Sequence, residues 1–440
     1  MLSTPPAFPR LARSILKIAW PIALARLGIM GMGVADTVMV GQLAPDQLAY
    51  QALGWAPTSV FLVAGIGLLM GVQVLAARVM GQGEQAAAGV VWRRGIVIGL
   101  VFGAIALGLL WAFGGNLLRL FGVSPALVEP ATKVMAVLAL SLPLHLVYVA
   151  SAFFLEAIRR PMASTVIMWI ANILNVGLNF WLIPHLGAEG SAWATVGARV
   201  FLAGSIVIWI LSLKDARTLG VRGPKAVPGP SYRALLSVGI AAAVSQAVEA
   251  AAFSGMTILA GRIGEDAVSG YAILLNLLAV VFMVALGLSA ASAVVVSEEI
   301  GRDDRPAAGK AAWTGLGLNS IAMAAAGILM LALGTALARA FTADLALAAV
   351  IATQMGWAAA ILIPDGGQVV TASTLRARGD NWVPTASHIA AYACLMPVLG
   401  WYLAEHLGQG LAGLMAAIFW ASVLSFGVLA LRQWFVIRRG

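Results

Sequence analysis

Three carboxylates stand inside long apolar stretches of this chain: Asp36 in GMGVADTVMVG, Glu249 in AAAVSQAVEAAAF and Asp365 in ILIPDGGQVVTASTLRARGD. At the centre of a membrane helix such a group costs about 2.5–3.5 kcal/mol on insertion scales, so partners, water or function must offset it. Asp36 follows Gly28, Gly31 and Gly33, which let another backbone or a ligand come close. It reads as a protonatable or cation-binding group in a cavity, or as a solvated acid near the outer interface. Glu249 has Ser245 and Gln246 one turn before it on the same face and no basic residue within reach along its own helix, which suits a proton carrier. Asp365 follows Pro364 and precedes Gly366 and Gly367, with Gln368 one turn on; this pattern predicts a broken helix with an acid at the break. Asn172, Asn175 and Asn179 recur on one helix face, which must meet protein or water rather than lipid; interhelical hydrogen bonding and a polar site both satisfy that requirement. Asn276 is a further polar candidate in the eighth apolar stretch.

The elements that must position these groups are membrane helices. The chain has 440 residues, 61% hydrophobic and 10% charged, more apolar surface than a soluble domain could cover. A bilayer core needs roughly 20 apolar residues per helix, and twelve such stretches can be drawn, so the fold class is all-α and polytopic. If the helices alternate across a membrane, 21 of the 27 Lys and Arg residues fall on one side, which the positive-inside rule makes cytoplasmic. Both termini are then expected to be cytoplasmic, and the net charge of +9 follows from topology rather than nucleic-acid binding. Of the exceptions, Arg26 and Arg199 lie within spans; Arg26 is close enough to an end to snorkel, and Arg199 is placed to pair with a carboxylate. Glu156 is expected in a loop with Arg159 and Arg160. The first span lacks an A-x-A-like cleavage site and reads as a retained helix.

Read at a shift of 220 residues, half its length, the chain repeats itself: Gly41 falls on Gly261, Gly67 on Gly287, Gly81 on Gly301, Leu155 on Leu375 and Trp181 on Trp401. An even number of helices per half makes this a parallel repeat, expected as two six-helix lobes at 1–213 and 231–440. Between them lies a cytoplasmic linker at 214–230 holding Pro224, Pro228 and Pro230 among the basic residues Lys214, Arg217, Arg222 and Lys225.

Enzymatic chemistry finds little support. His145, His185, His388 and His406 are isolated, with no H-x-x-x-H spacing. There is no Walker A loop, and the lone Cys394 excludes an internal disulfide or a multi-cysteine metal site. No cofactor is expected.

Along its full length the chain resembles the multidrug and toxic compound extrusion (MATE) family, NorM-like branch, in ADTVMVGQL, NILNVGLNFWLI, VEAAAF, SEEIGRDD and DGGQVVTASTLRARGD, in that order. The resemblance implies a secondary active antiporter of a bacterial inner membrane that exports hydrophobic organic cations, acting as a monomer in the lipid bilayer. Asp36, Asn175 and Asn179 would form an N-lobe polar site; Glu249 and Asp365 would form a C-lobe cation site, able to take a proton or a sodium ion. Sodium-coupled members tend to carry an aromatic one turn before the tenth-span acid. Here that residue is Ile361, which favours protons. A lipid-linked oligosaccharide flippase of the same superfamily is an alternative, but should line its cavity with Arg and Lys. A polytopic membrane enzyme is a third.

Overall fold

In a hydrocarbon solvent each backbone N–H and C=O must be bonded within its own segment, which leaves the helix as the economical element for such a chain. The computed structural model describes residues 8–222, 228–342 and 344–439; Pro224 and Lys225 of the linker lie outside the described residues. Among the described residues, twelve helices are long and apolar enough to cross a membrane. They are α1 (Phe8–Leu43), α2 (Leu48–Gly81), α3 (Gln85–Leu120), α4 (Pro125–Ala157), α5 (Met162–Leu186), α6 (Ala188–Ser212), α7 (Tyr232–Ile263), α8 (Glu265–Gly301), α9 (Arg305–Phe341) and α10 (Leu345–Ala377). Then come α11 (Trp382–His406) and α12 (Gly410–Arg438). Among the described residues there are no strands.

Two of these helices depart from the sequence reading. The break expected at Pro364 does not occur, since α10 runs unbroken from Leu345 to Ala377. The interrupted helix is α11, which is π-helical over Ile389–Leu395 and again over Trp401–His406. π-Bulges of this kind commonly mark functional positions.

The chain divides into two compact units, Leu24–Ala243 and the remainder, Met1–Ala23 with Val244–Gly440. The opening of α1 therefore packs with the second half of the sequence, and the opening of α7 with the first. The sequence permits both packings by the same device. In one unit a Cβ on Gly67 of α2 would lie 2.6 Å from the Cα of Ala243; in the other a Cβ on Gly287 of α8 would lie 2.8 Å from the Cβ of Ala23. Gly67 and Gly287, and likewise Ala23 and Ala243, are repeat mates at the 220-residue shift. Only a residue without a side chain admits so close an approach.

Candidate functional site

Each unit encloses one acid cluster. In the unit Leu24–Ala243, Asp36 of α1 is 7% exposed. Its Oδ1 accepts a hydrogen bond from Asn179 Nδ2 of α5 at 2.7 Å, and its Oδ2 accepts one from Thr195 Oγ1 of α6 at 2.6 Å. Asn179 Nδ2 also donates to Asn175 Oδ1 at 3.2 Å, so the i, i+4 spacing on α5 produces an amide pair aimed at the carboxylate. Asn172, on the same helix, does not join them. Its Nδ2 donates to the carbonyls of Gly28 and Met168 at 3.1 and 2.9 Å, tying α5 to α1.

Arg199 faces the same space. A cavity of about 40 Å³, room for a water molecule, is lined by Asp36, Trp55, His145, Thr195 and Arg199 among others. Arg199 Nη1 donates to Ser141 Oγ at 2.7 Å, and its guanidinium lies 5.8 Å from the centre of the Trp55 ring. Nε of Arg199 and both ring nitrogens of His145 are buried without a hydrogen-bond partner among the described residues. His145, isolated in sequence, is thus part of this cluster. Both oxygens of Asp36 thus accept from neutral donors, one on α5 and one on α6.

A second buried pair lies in the same unit. Glu156, expected in a loop, is in the last turn of α4 and 1% exposed, because the helix runs on to Ala157 before the turn that holds Arg159. Its Oε2 accepts from Gln73 Nε2 of α2, and its Oε1 lies 3.5 Å from Arg26 Nη2. The Arg26 guanidinium, drawn to this acid at the end of α4, lies 5.1 Å from the centre of the Phe153 ring.

In the other unit Asp365 of α10 accepts from Tyr392 OH of α11 at 3.2 Å and from Ser422 Oγ of α12 at 3.4 Å; Tyr392 and Ser422 are themselves 3.2 Å apart. Tyr392 lies within the first π-helical stretch of α11. Glu249 of α7 has its Oε2 4.0 Å from His388 Nδ1, and the His388 ring meets Tyr392 edge-on at 5.7 Å. The contacts from Glu249 through His388 and Tyr392 to Asp365 thus link the two carboxylates. Arg376 Nη2 donates to Ser245 Oγ at 2.7 Å, which in turn donates to Thr385 Oγ1 at 3.1 Å. Gln368 is buried one turn beyond Asp365, and Gln246 is half-buried one turn before Glu249. Asn276 stands apart: it is exposed, and its Nδ2 donates to the Ala272 carbonyl of its own helix at 2.9 Å.

Both clusters place polar and ionisable groups inside a helical membrane protein. Each has an acid without a full ion pair, neutral oxygen and nitrogen groups from several helices, and little access to bulk water. Polar clusters on a duplicated helical bundle point to a class, the membrane transporters. The family model described as MatE matches twice, over residues 21–181 and 241–402, and the two matches begin 220 residues apart. The chain belongs to the MATE family, whose members are transporters and not enzymes.

Among its relatives, the probable multidrug resistance protein NorM of Caulobacter vibrioides is 39% identical over 95% of this chain and 90% of that protein. The multidrug resistance protein PmpM of Pseudomonas aeruginosa is 29% identical over 86% and 81%. A solved structure, the outward-facing conformation of a multidrug resistance MATE family transporter of the MOP superfamily, superposes with a TM-score of 0.90. It is 18% identical, covering 98% of this chain and 96% of that one, and shows the shared fold.

Proposed function

We propose that this chain is a secondary active multidrug efflux antiporter. It exports hydrophobic organic cations from a bacterial cytoplasm in exchange for protons, working by alternating access with both termini cytoplasmic. The observation that carries this reading is the contact chain that links the two acids: Glu249 faces His388, whose ring meets Tyr392, and Tyr392 and Ser422 both donate to Asp365. Two carboxylates linked in this way in a low-dielectric site hold a proton or an organic cation readily, but not both at once. Asp36 with Asn175, Asn179 and Thr195 supplies a second proton-dependent element. Ile361, one turn before Asp365, adds no ligand for sodium. The clustered acids favour cations over the phosphate group that a lipid-linked sugar would present.

Reciprocal linkage provides the test: if proton and substrate exclude each other at these acids, each must weaken the other's binding by the same factor. Binding of a cationic dye to the purified protein is expected to weaken as the medium is made acidic. Glu249→Gln combined with Asp365→Asn should flatten that dependence, with sodium having little effect on either protein. A sodium effect that vanishes in the double variant would transfer the coupling to sodium. A pH dependence unchanged by the double variant would remove these acids from the mechanism.

A further inference from the structure

The ends of α8, α10 and α12 and the start of α9 enclose a pocket of about 380 Å³ that the transport reading does not use. Its lining includes Arg305, Arg378, Arg432 and Arg439, with Phe435 as an apolar wall and Asp303 as the one acid. The Arg432 guanidinium is already engaged, since its Nε donates to Asp380 Oδ2 at 2.7 Å. Arg378 is not: its Nε and Nη1 are buried and have no hydrogen-bond partner among the described residues. Partial burial, and after it the nearby Arg305 charge, pull the Arg378 guanidinium below its ordinary range. Buried donors with no acceptor are costly, so a pocket that gathers them is short of an anion.

The other half of the repeat supplies a control. The mates of Arg305, Arg378, Arg432 and Arg439 at the 220-residue shift are Gln85, Ile158, Ser212 and Leu219, none of them charged. There the chain closes on itself. Gly89 N donates to the Leu219 carbonyl at 2.9 Å, and Arg93 donates to the Gly220 carbonyl. The second half thus has an open, arginine-lined pocket where the first has a plug of its own backbone.

We infer that this pocket binds a phosphate group, gripped by the forked donors of Arg378 and Arg439 with Arg305 at its mouth. Guanidinium forks match phosphate oxygens two at a time. Two sources share this chemistry, the headgroup of an acidic phospholipid and a free phosphate anion. The surroundings resemble a membrane interface: Trp434 and Phe435 meet at 4.9 Å between ring centres, and Arg438 lies 3.8 Å over the Trp434 ring. Basic pockets at the cytoplasmic ends of membrane helices take lipid headgroups in this way.

The test uses the full chain, purified and delipidated in detergent, with phosphatidylglycerol, phosphatidylcholine and inorganic phosphate as probes and native mass spectrometry as the readout. Phosphatidylglycerol is expected to bind about tenfold or more tightly than phosphatidylcholine, given about 1 kcal/mol per basic residue near a headgroup. Arg378→Gln with Arg439→Gln should erase that preference. Inorganic phosphate that displaces the lipid and binds alone would make the free anion the ligand. Lipid binding that phosphate does not displace would make it the headgroup. Equal retention of the two lipids with no phosphate binding overturns the inference, as does a full preference surviving in the double variant. Should that variant fail to fold, Arg305→Gln, a change at an exposed side chain, must still weaken phosphatidylglycerol binding, or the site is wrong.

Discussion

At the end of α4, Arg160 holds Asp215 through two hydrogen bonds of 2.8 and 2.7 Å; at the end of α10, the repeat mate of Arg160 is Asp380, which accepts from Arg432. The charges have changed places. The same inversion recurs one turn earlier, where Glu156, bound by Gln73 and Arg26, has Arg376 as its mate. Deeper in the same two helices, His145 stands opposite Asp365. The backbone did not follow. Arg159 and Gly379, mates in the turn after α4 and α10, both have positive φ, 60° and 94°; Gly83 and Asp303, mates after α2 and α8, have 80° and 59°. Duplication has kept the helix ends and the glycine contacts that set how helices approach, while side-chain polarity was free to reverse. The two halves consequently present different chemistry on similar frames: an acid enclosed by amides, a hydroxyl and a guanidinium in one, a pair of acids beside phenol, hydroxyl and imidazole in the other.

The sharpest way to break this comparison is Asp36→Asn. The amide keeps the size of the side chain but cannot carry a proton, whereas the acids of the other half remain. If both clusters are needed for coupling, dye efflux from cells should fall about tenfold or more, with expression and thermal stability close to wild type. Efflux with an unchanged pH dependence would show that the enclosed acid is structural and that the second cluster works alone.

Next in size is the buried pair at the end of α4. Glu156→Ala leaves Arg26 without its acid, and removing one partner of a buried ion pair costs about 3–5 kcal/mol. The loss is expected as a large drop in the thermal unfolding temperature of the purified protein. Glu156→Gln, which keeps the hydrogen bonding to Gln73, should cost less. Equal effects of the two variants would mean that shape rather than charge holds this corner.

These contrasts also mark how far the sequence could be read. Twelve spans, their duplication and the three intramembrane acids were legible because apolar length, a constant shift and the cost of burying charge are properties of the chain itself. Asn175 and Asn179 were legible as one face of α5. Their partners were not: Thr195 reaches Asp36 from 159 residues away, and Tyr392 reaches Asp365 from α11. Periodicity says which face of a helix is polar but not which helix it meets. His388 was passed over because it lacks metal-ligand spacing, although its role is to face a carboxylate of another helix. Glu156 carried a usable signal. Arg26 is a base within a span, and a base there calls for an acid at similar depth. Pro364 misled because a bundle tolerates proline in a continuous helix when neighbouring groups satisfy the freed carbonyl.

A smaller effect should appear at the crossing glycines. Gly67→Ala and Gly287→Ala each push a methyl group against α7 at Ala243 or α1 at Ala19 and Ala23, and overpacking of this kind costs about 1–3 kcal/mol. Because the two contacts are repeat mates, thermal unfolding should show similar losses for both. A loss confined to one variant would mean that the halves no longer share their packing rule.

The smallest effect is expected at the inverted surface pairs, and it separates burial from charge. Arg160 holds the Asp215 carboxyl below the usual carboxylate range. A depressed native value means that the pair stabilises the protein fully above the unfolded value, near 4, and that this contribution is lost as pH falls through the native value. Both side chains are well exposed, at 46% and 36%, so screening limits the gain to about 1 kcal/mol or less. Asp215→Asn should therefore lower the unfolding temperature slightly at neutral pH, and the difference from wild type should disappear in strong acid, where the native carboxylate is itself protonated. Asp380, with a side chain only 15% exposed, should lose more on the same substitution because less water screens its bond to Arg432. If the two variants cost the same, the reversed polarity is neutral and the difference in burial carries no energy. If Asp215→Asn costs more, the bidentate geometry of Arg160 outweighs burial.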